Sequence, residues 1–511
     1  MLTRNRDELL SRATELVARH MGLHFPRERY EDLERGLCAA VPDLGFQNIE
    51  SCLESLVSCA LTRSQIEILA SHLTIGETYF FRESAAFQTL EEYILPELVR
   101  QRRGNNQQLR IWTAGCASGE EPYSVAILLQ KVIRNIDDWN ISVLATDINP
   151  QALKTARLGI YNNWSFRDCP VTVKDKYFTL RKNGQSEISP EIRRMVTFVY
   201  HNLALDPYPS LANNTNAMDV ILCRNVLMYF NRDAADMVLS NFNKCLVEGG
   251  WLMVSPCDIP QGSNPGLRHI SHSGAILYRK DGQLSSDVQA AISGETRFYP
   301  LTENPPVVFE SFLPVLTGNA AETNIPTETP VPMEVHKEKL KHELPLESPY
   351  QQALTFFKQG SYARAEKVIG SVLKKNVDAK MMILSARICA NQGLLEAALL
   401  QCQKSIELDK SNPSSRYLLA NIMQELGRVQ EATMALKQTI YLDPNFVLAY
   451  FTMGNLALKQ GDTRKSLKHF ENALAILNTC TRDDMLADEG DISAGRMAEI
   501  IRSTIGTEKT I

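Results

Sequence analysis

The sequence has little that would commit it to a membrane, a metal or a nucleic acid. No uninterrupted apolar run approaches the roughly 18 residues needed to cross a bilayer, so direct membrane insertion is not expected. The first ten residues, MLTRNRDELL, carry acids where a signal peptide needs its apolar stretch. Only 11 cysteines occur in 511 residues, scattered without metal-ligand spacing. They read as reduced thiols, which predicts a cytoplasmic chain and no metal site. Cys38, Cys52 and Cys59 suit helix cores, and His269 and His272 lack ligand-like neighbours. With 54 Lys+Arg against 59 Asp+Glu, the formal net charge of −5 gives no global pull toward nucleic acid. What is present is apolar content: 44% hydrophobic residues suffice for packed cores and exclude a largely disordered chain. At roughly 100–200 residues per domain, this length implies two to four domains.

Residues 1–75 are expected to form an N-terminal helical domain. Leu9, Leu10, Ala13, Leu16 and Val17, then Cys52, Leu53, Leu56 and Val57, recur at helical spacing. The dense Arg4, Arg6, Arg12, Arg19, Arg27, Arg29 and Arg35 read as a solvated helical face, with docking to an acidic partner as the alternative. Residues 76–282 are expected to form an α/β, doubly wound domain. From about residue 107, strands at Leu109–Ala114, Ile141–Thr146, Val196–Val199, Met218–Cys223, Gly250–Ser255 and Ala275–Lys280 alternate with helices, which predicts a mostly parallel sheet covered on both faces. Residues 283–347, with Asn304-Pro305-Pro306 and the charged HKEKLKHE, read as a flexible linker between two independently folded bodies.

A repeat follows the linker. Gly360, Gly393, Gly427 and Gly461 are separated by one short period, each with a small residue seven positions earlier (Ala353, Ala386, Ala420, Gly454) and another five later (Ala365, Ala398, Ala432, Ser466). Small residues let paired helices approach closely, and a glycine ends the first helix of each pair. Residues 348–479 therefore resemble four tetratricopeptide repeats, an all-α solenoid whose concave groove recruits a protein partner or serves as a structural spacer. The polar tail, 480–511, is expected to fray.

The segment Leu109–Ser124 (LRIWTAGCASGEEPYS) carries the most chemistry. An apolar strand runs into small residues that admit a ligand to the backbone, then a helix opens at Glu120-Glu121-Pro122. The loop lacks G-x-G-x-x-G, and two acids at a helix N-terminus do not suit a pyrophosphate. They suit a cationic ligand with an ammonium and a sulfonium, such as S-adenosylmethionine. Asp147, ending the next strand, is placed for ribose hydroxyls; the alternative is a cap for the helix near Pro150. Arg224 and Asn225 follow a buried strand where open α/β sheets bind ligands, and Tyr229 lies about one helical turn further on. Cys116 reads as a small filler, not a nucleophile.

LTIGETYFFRE (Leu73–Glu83), AGCASGEEPYS, LATDINPQALKTARLGIY (Leu144–Tyr161), FVYHNL (Phe198–Leu203) and ILCRNVLMYF (Ile221–Phe230) occur in that order. Together they resemble the CheR family of S-adenosylmethionine-dependent methyltransferases, which esterify glutamates of bacterial chemotaxis receptors. The resemblance spans about residues 5–282. It implies a protein-glutamate O-methyltransferase acting on a chemoreceptor-like protein, with S-adenosylmethionine as cofactor. It places Gly76, Thr78 and Arg82 over the cleft, Glu120 or Glu121 near the methionyl end and Asp147 on ribose. Asn202, Leu203, Arg224 and Asn225 complete the cofactor pocket, and Tyr229 borders the substrate channel. Two departures stand out: Gly76 replaces the family's usual Asn, and Val254-Ser-Pro-Cys-Asp258 replaces its Gly-His-Ser-Glu.

A glutamate is already ionised at neutral pH, so methyl transfer needs positioning and desolvation rather than a strong base. Arg82 would orient the incoming carboxylate and Tyr229 its second oxygen; a structural Arg82 paired with Glu83 or Glu77 is the alternative. A non-catalytic scaffold that senses S-adenosylmethionine is the rival for the whole chain. Residues Tyr177–Phe198, with a tight turn at Arg181–Gln185, match the β-subdomain through which some CheR-family enzymes hold a receptor's C-terminal peptide. Its shortness predicts no need for that peptide, with recruitment left to the repeats on a linker reaching on the order of 40–50 Å.

Overall fold

The computed structural model describes residues 2–58, 61–104, 107–211, 213–258, 266–272, 274–280, 348–374, 378–482, 484–486 and 492–508. The segment 283–347 and Cys59, read above as linker and helix core, lie outside them.

The parallel core grows from strands that bury both faces. β1 (Gln108–Ala114), β2 (Asn140–Asp147), β6 (Val196–Tyr200), β7 (Met218–Cys223), β8 (Leu246–Val254), β9 (Leu267–His272) and β10 (Ala275–Lys280) form one sheet in the order β6-β2-β1-β7-β8-β10-β9. The first five are mutually parallel, and β10 runs antiparallel to β8 and β9. Their period-2 alternation divides the interior. Leu109, Ile111, Val143, Ala145, Val220, Leu222, Trp251 and Met253 join one apolar cluster, whereas Trp112, Leu144, Ile221, Cys223, Leu252 and Val254 join the other. Strand β9 is not among the expected strands; its alternating polar residues hide it, and His272 stacks on Tyr93 while His269 meets Tyr278 edge-on. A second sheet, β3-β5-β4, joins Ile160–Tyr161, Ser186–Ile188 and Phe178–Leu180, with the expected turn closed by Arg181 N–H donating to the Gln185 carbonyl.

Helices Leu2–Met21, Tyr30–Ala40, Ile49–Ser58 and Arg63–Leu73 pack around Leu10, Leu33, Leu53 and Leu69. Cys52 is buried there, but Cys38 is exposed, against expectation. In the C-terminal region four helix pairs run from Pro349–Lys358 to Thr463–Leu477. All four repeat glycines have φ between +71° and +78°, the left-handed conformation that ends a helix. Ala386, Ala398, Ala420 and Ala432 are fully buried between helices, and a Cβ on Gly454 would strike Phe470.

Two expectations fail here. Residues Met1–Gly282 and Pro349–Ile511 form one compact unit rather than two separate bodies. Glu425, at the end of the helix Pro413–Glu425, accepts through its carbonyl from Gln108 (3.0 Å) and Asn140 (2.6 Å), and through Oε1 from Asn216 (2.8 Å), with Arg110 at 3.8 Å. The tail, in turn, does not fray throughout: helix Ala494–Glu508 buries Met497, Ala498 and Ile501 in the repeats' core. No helix among the described residues is long and apolar enough to cross a membrane.

Candidate functional site

The carboxyl ends of β1, β2, β6 and β7 open on one cleft, roofed by the N-terminal helices and the segment Leu73–Arg82. It gathers Gly76, Thr78, Arg82, Glu121, Asp147, Asn202, Leu203, Arg224, Asn225 and Tyr229, all expected at the site. Glu120 is not among them. Its buried carboxylate turns away and accepts from Ser118 at 2.7 Å, so of the two neighbouring acids the cleft receives Glu121.

The loop after β1 is shaped by its glycines. Gly115 (φ +77°) faces Val226 and has no room for a Cβ, while a Cβ on Gly119 would lie 2.8 Å from that of Ala156. Asp147 receives N–H bonds from Ala117 and Asn149, both at 2.8 Å, and burial pushes its carboxyl above the ordinary range. The cap of helix Pro150–Leu158 is Asn149, whose Oδ1 accepts from Gln151 and Ala152 at 3.0 Å. Capping therefore does not occupy Asp147, which lies along the cleft.

Arg82 is aimed by the two phenylalanines before it. Phe80 is buried among Tyr161, Phe166 and Phe178 with ring centroids 4.9–5.0 Å away, and its N–H reaches the Ser165 carbonyl; Phe81 N–H donates to Ser124. The Arg82 guanidinium meets the Glu77 carbonyl, but no carboxylate among the described residues pairs with it. Glu77 pairs with Arg167 and Glu83 with Arg224 instead.

Arg224 spans the floor of the cleft. Its side chain, 1% exposed, holds Glu83 at 3.2 Å and Glu121 at 3.0 Å, and donates to the Arg82 carbonyl. Burial raises the Glu83 carboxyl, but Arg224 and the Ser255 hydroxyl (2.9 Å) outweigh it and hold it below its usual value. Asp258 accepts from the N–H groups of Asn225 and Met228, fixing Asn225 at φ +59°. Beyond it, Leu227–Tyr229 is a 3-10 turn rather than the expected α-helical turn, yet it still brings Tyr229 to the cleft, where its carbonyl accepts from His24 at 2.6 Å. Glu83, Ser255 and Asp258 were missed as site residues. The departure at 254–258 was visible, but which residues it would serve was not.

A glycine-shaped loop, an acid ending the second strand and a buried Arg–carboxylate floor suit a nucleoside bearing a charged side chain. This is the site of a cofactor-binding α/β domain, here carrying helical repeats. Residues 76–266 match the family described as "CheR methyltransferase, SAM binding domain", and residues 350–413 match "Tetratricopeptide repeat". A chemotaxis protein methyltransferase of Borreliella burgdorferi is 30% identical over 267 residues, covering 52% of this chain and 92% of that protein. A probable chemotaxis protein methyltransferase of Rhizobium etli is 31% identical over 243 residues, 47% of this chain and 87% of that one. Among solved structures, MamA from Desulfovibrio magneticus is 17% identical with a TM-score of 0.24, covering 26% of this chain and 75% of that chain. The chain belongs to the CheR methyltransferase family.

Proposed function

We propose that this chain transfers the methyl group of S-adenosylmethionine to glutamate side chains of a chemoreceptor-like protein in the cytoplasm, and that its repeats engage a further protein. The single observation that carries the reading is Arg82: a guanidinium lining the cleft with no ion pair to a carboxylate among the described residues, set by the anchored Phe80 and Phe81, in the same cleft as Tyr229. An incoming carboxylate would complete its pairing through two parallel N–H···O bonds.

The residues fit the cofactor. Asp147 has lone pairs left for ribose hydroxyls, Asn202 and Asn225 border the same cleft, and Glu121 offers negative charge near its floor. When bound, the cofactor supplies an electrophilic methyl on a sulfonium. Arg82 orients the glutamate, Tyr229 fixes its second oxygen, and the roof from Leu73 to Arg82 limits water. The carboxylate oxygen forms the new bond to carbon as the carbon–sulfur bond breaks, so no proton moves. Each esterification removes one negative charge from the receptor and shifts its signalling equilibrium.

The test is transfer from labelled cofactor to receptor-containing membranes, released by mild base. Arg82→Ala is expected to keep cofactor binding and lose turnover by about 100-fold or more. Cofactor binding by the intact chain without any transfer to protein would leave the sensing scaffold as the surviving account. Because the repeats pack onto the sheet, the role of the receptor's C-terminal peptide is best tested with the full chain, on receptors with and without it; equal methylation is expected.

A further inference from the structure

Asp206 stands between the cofactor cleft and the last helix of the chain. Its Oδ2 accepts the main-chain N–H of Asn202 at 2.7 Å, and its own N–H donates back to the Asn202 carbonyl at 2.8 Å. Its Oδ1 accepts from Arg496, Nε at 2.7 Å with Nη2 donating to the same oxygen. His201 Nδ1 lies 3.7 Å from Oδ2. His201, Asn202 and Asp206 are all buried.

Arg496 belongs to the helix Ala494–Glu508, which shares a core with Phe470, Ala473 and Leu477 of the fourth helix pair. The Asn202 side chain is tied in the other direction, donating to the His20 carbonyl at 2.7 Å. Asn202, next to Leu203, is thus clamped from two sides, one of them through Arg496, 290 residues beyond Asp206 in sequence. His201 also lines a second cavity, walled by Asn421, Gln424 and Phe451 of the repeats and by Met497 of the last helix. One wall serves both spaces.

A buried carboxylate stripped of its cation tends to take up a proton or draw in water, and either loosens what it holds. Here that is the main chain at Asn202. We infer that Arg496 is a positioning residue for the cofactor cleft: through Asp206 it fixes Asn202 and Leu203, which makes the last helix a working part of the methyltransferase site. The inference rests on the cofactor reading above.

The measurement is calorimetry of S-adenosylhomocysteine on the full chain, with thermal unfolding in parallel. Arg496→Met is expected to weaken binding about tenfold and to raise the KM for S-adenosylmethionine similarly, with kcat falling by less than about twofold. Arg496→Lys, keeping one donor for Oδ1, restores binding to within about threefold. Asp206→Asn and Arg496→Met together cost less than the sum of the two, because they break one chain of bonds. A folded Arg496→Met with unchanged affinity, or fully additive effects, overturns the inference. Should Arg496→Met fail to fold, Arg496→Gln carries the same comparison. If the unaltered chain fails to bind S-adenosylhomocysteine, the cofactor reading itself falls, and this inference with it.

Discussion

The two ends of the parallel sheet use the same residue types for opposite purposes. At the amino ends, Gln108, Arg110, Asn140 and Asn216 converge on Glu425; at the carboxyl ends, Asp147, Asn202, Arg224 and Asn225 surround a cleft. Both sets are polar and largely buried. At the amino end most of the groups answer one another, with Glu425 Oε2 the exception: Arg110 donates to the Asn214 and Asn216 carbonyls at 3.1 and 3.2 Å, and its N–H meets Asp219 at 2.9 Å. At the carboxyl end Arg82 and the outer lone pairs of Asp147 face open space. A polar cluster that closes on itself holds a structure together, and one left incomplete can take a ligand.

The sharpest way to break this contrast is to cut each end and read stability against binding. Arg110→Leu removes the cation 3.8 Å from Glu425, whose side chain is 3% exposed, and leaves Lys459 as the remaining nearby positive charge. A broken buried pair costs about 3–5 kcal/mol, so a large fall in unfolding temperature is expected, with kcat/KM per folded molecule little changed. An equal loss of cofactor affinity would show that the two ends are not separable.

At the cleft the balance should invert. Asp147→Ala removes a carboxylate at the end of β2 and is expected to weaken S-adenosylhomocysteine binding by roughly 10–100-fold, the scale of a charged hydrogen bond at about 1.5–3 kcal/mol. The unfolding temperature should move far less than for Arg110→Leu. Calorimetry beside thermal unfolding checks both. A stability loss matching that of Arg110→Leu would make Asp147 a structural tie.

The cleft end was far more legible in the sequence than the seam. Strand ends reveal themselves: LRIWTA runs straight into Gly115, and LAT into Asp147, so the topology of a parallel sheet delivers both to one edge. The repeat glycines were equally plain, because each must adopt a positive φ. The seam depends on pairs hundreds of residues apart. Nothing local marks Glu425 or Arg496, though Arg110 was a clue: a charged residue inside a strand buried at every position needs a partner. Neighbouring acids were likewise indistinct until the helix Glu120–Val132 set their directions, sending Glu121 to the cleft and Glu120 away.

His201 sharpens the comparison through pH, because it borders both cavities. Burial holds its imidazole below the ordinary 6.5, and the nearby Asp206 does not offset this. The folded chain therefore keeps His201 neutral, while the unfolded chain takes up a proton near pH 6.5. Stability is fully present above that pH and declines as pH falls toward the folded-state value, by at most about 1.4 kcal/mol per pH unit. Unfolding temperatures between pH 7.5 and 5.5 should fall less steeply for His201→Phe, which keeps the ring against Trp112 and Tyr208. Parallel profiles for the two proteins would assign the pH dependence elsewhere.

The smallest expected effect lies at the roof of the cleft. Gly76 stands where the family's usual residue is Asn, and its backbone does not require glycine: its φ is not positive, and an added Cβ would meet nothing within 4 Å. An asparagine there has room to reach into the cleft it already lines. One neutral hydrogen bond contributes about 0.5–1.5 kcal/mol, so Gly76→Asn should tighten S-adenosylhomocysteine roughly 2–10-fold, with little shift in unfolding temperature. Because the site is open and exposed, the entropy lost by ordering the new side chain pulls the gain toward the lower figure. Unchanged affinity would mean that another roof residue already makes this contact, and Thr78 is then the residue to test, by Thr78→Ala in the Gly76→Asn background. Weaker binding would mean that the cofactor approaches the backbone at Gly76 closely enough to exclude a side chain, which would turn the departure from the family pattern into a feature of this cleft.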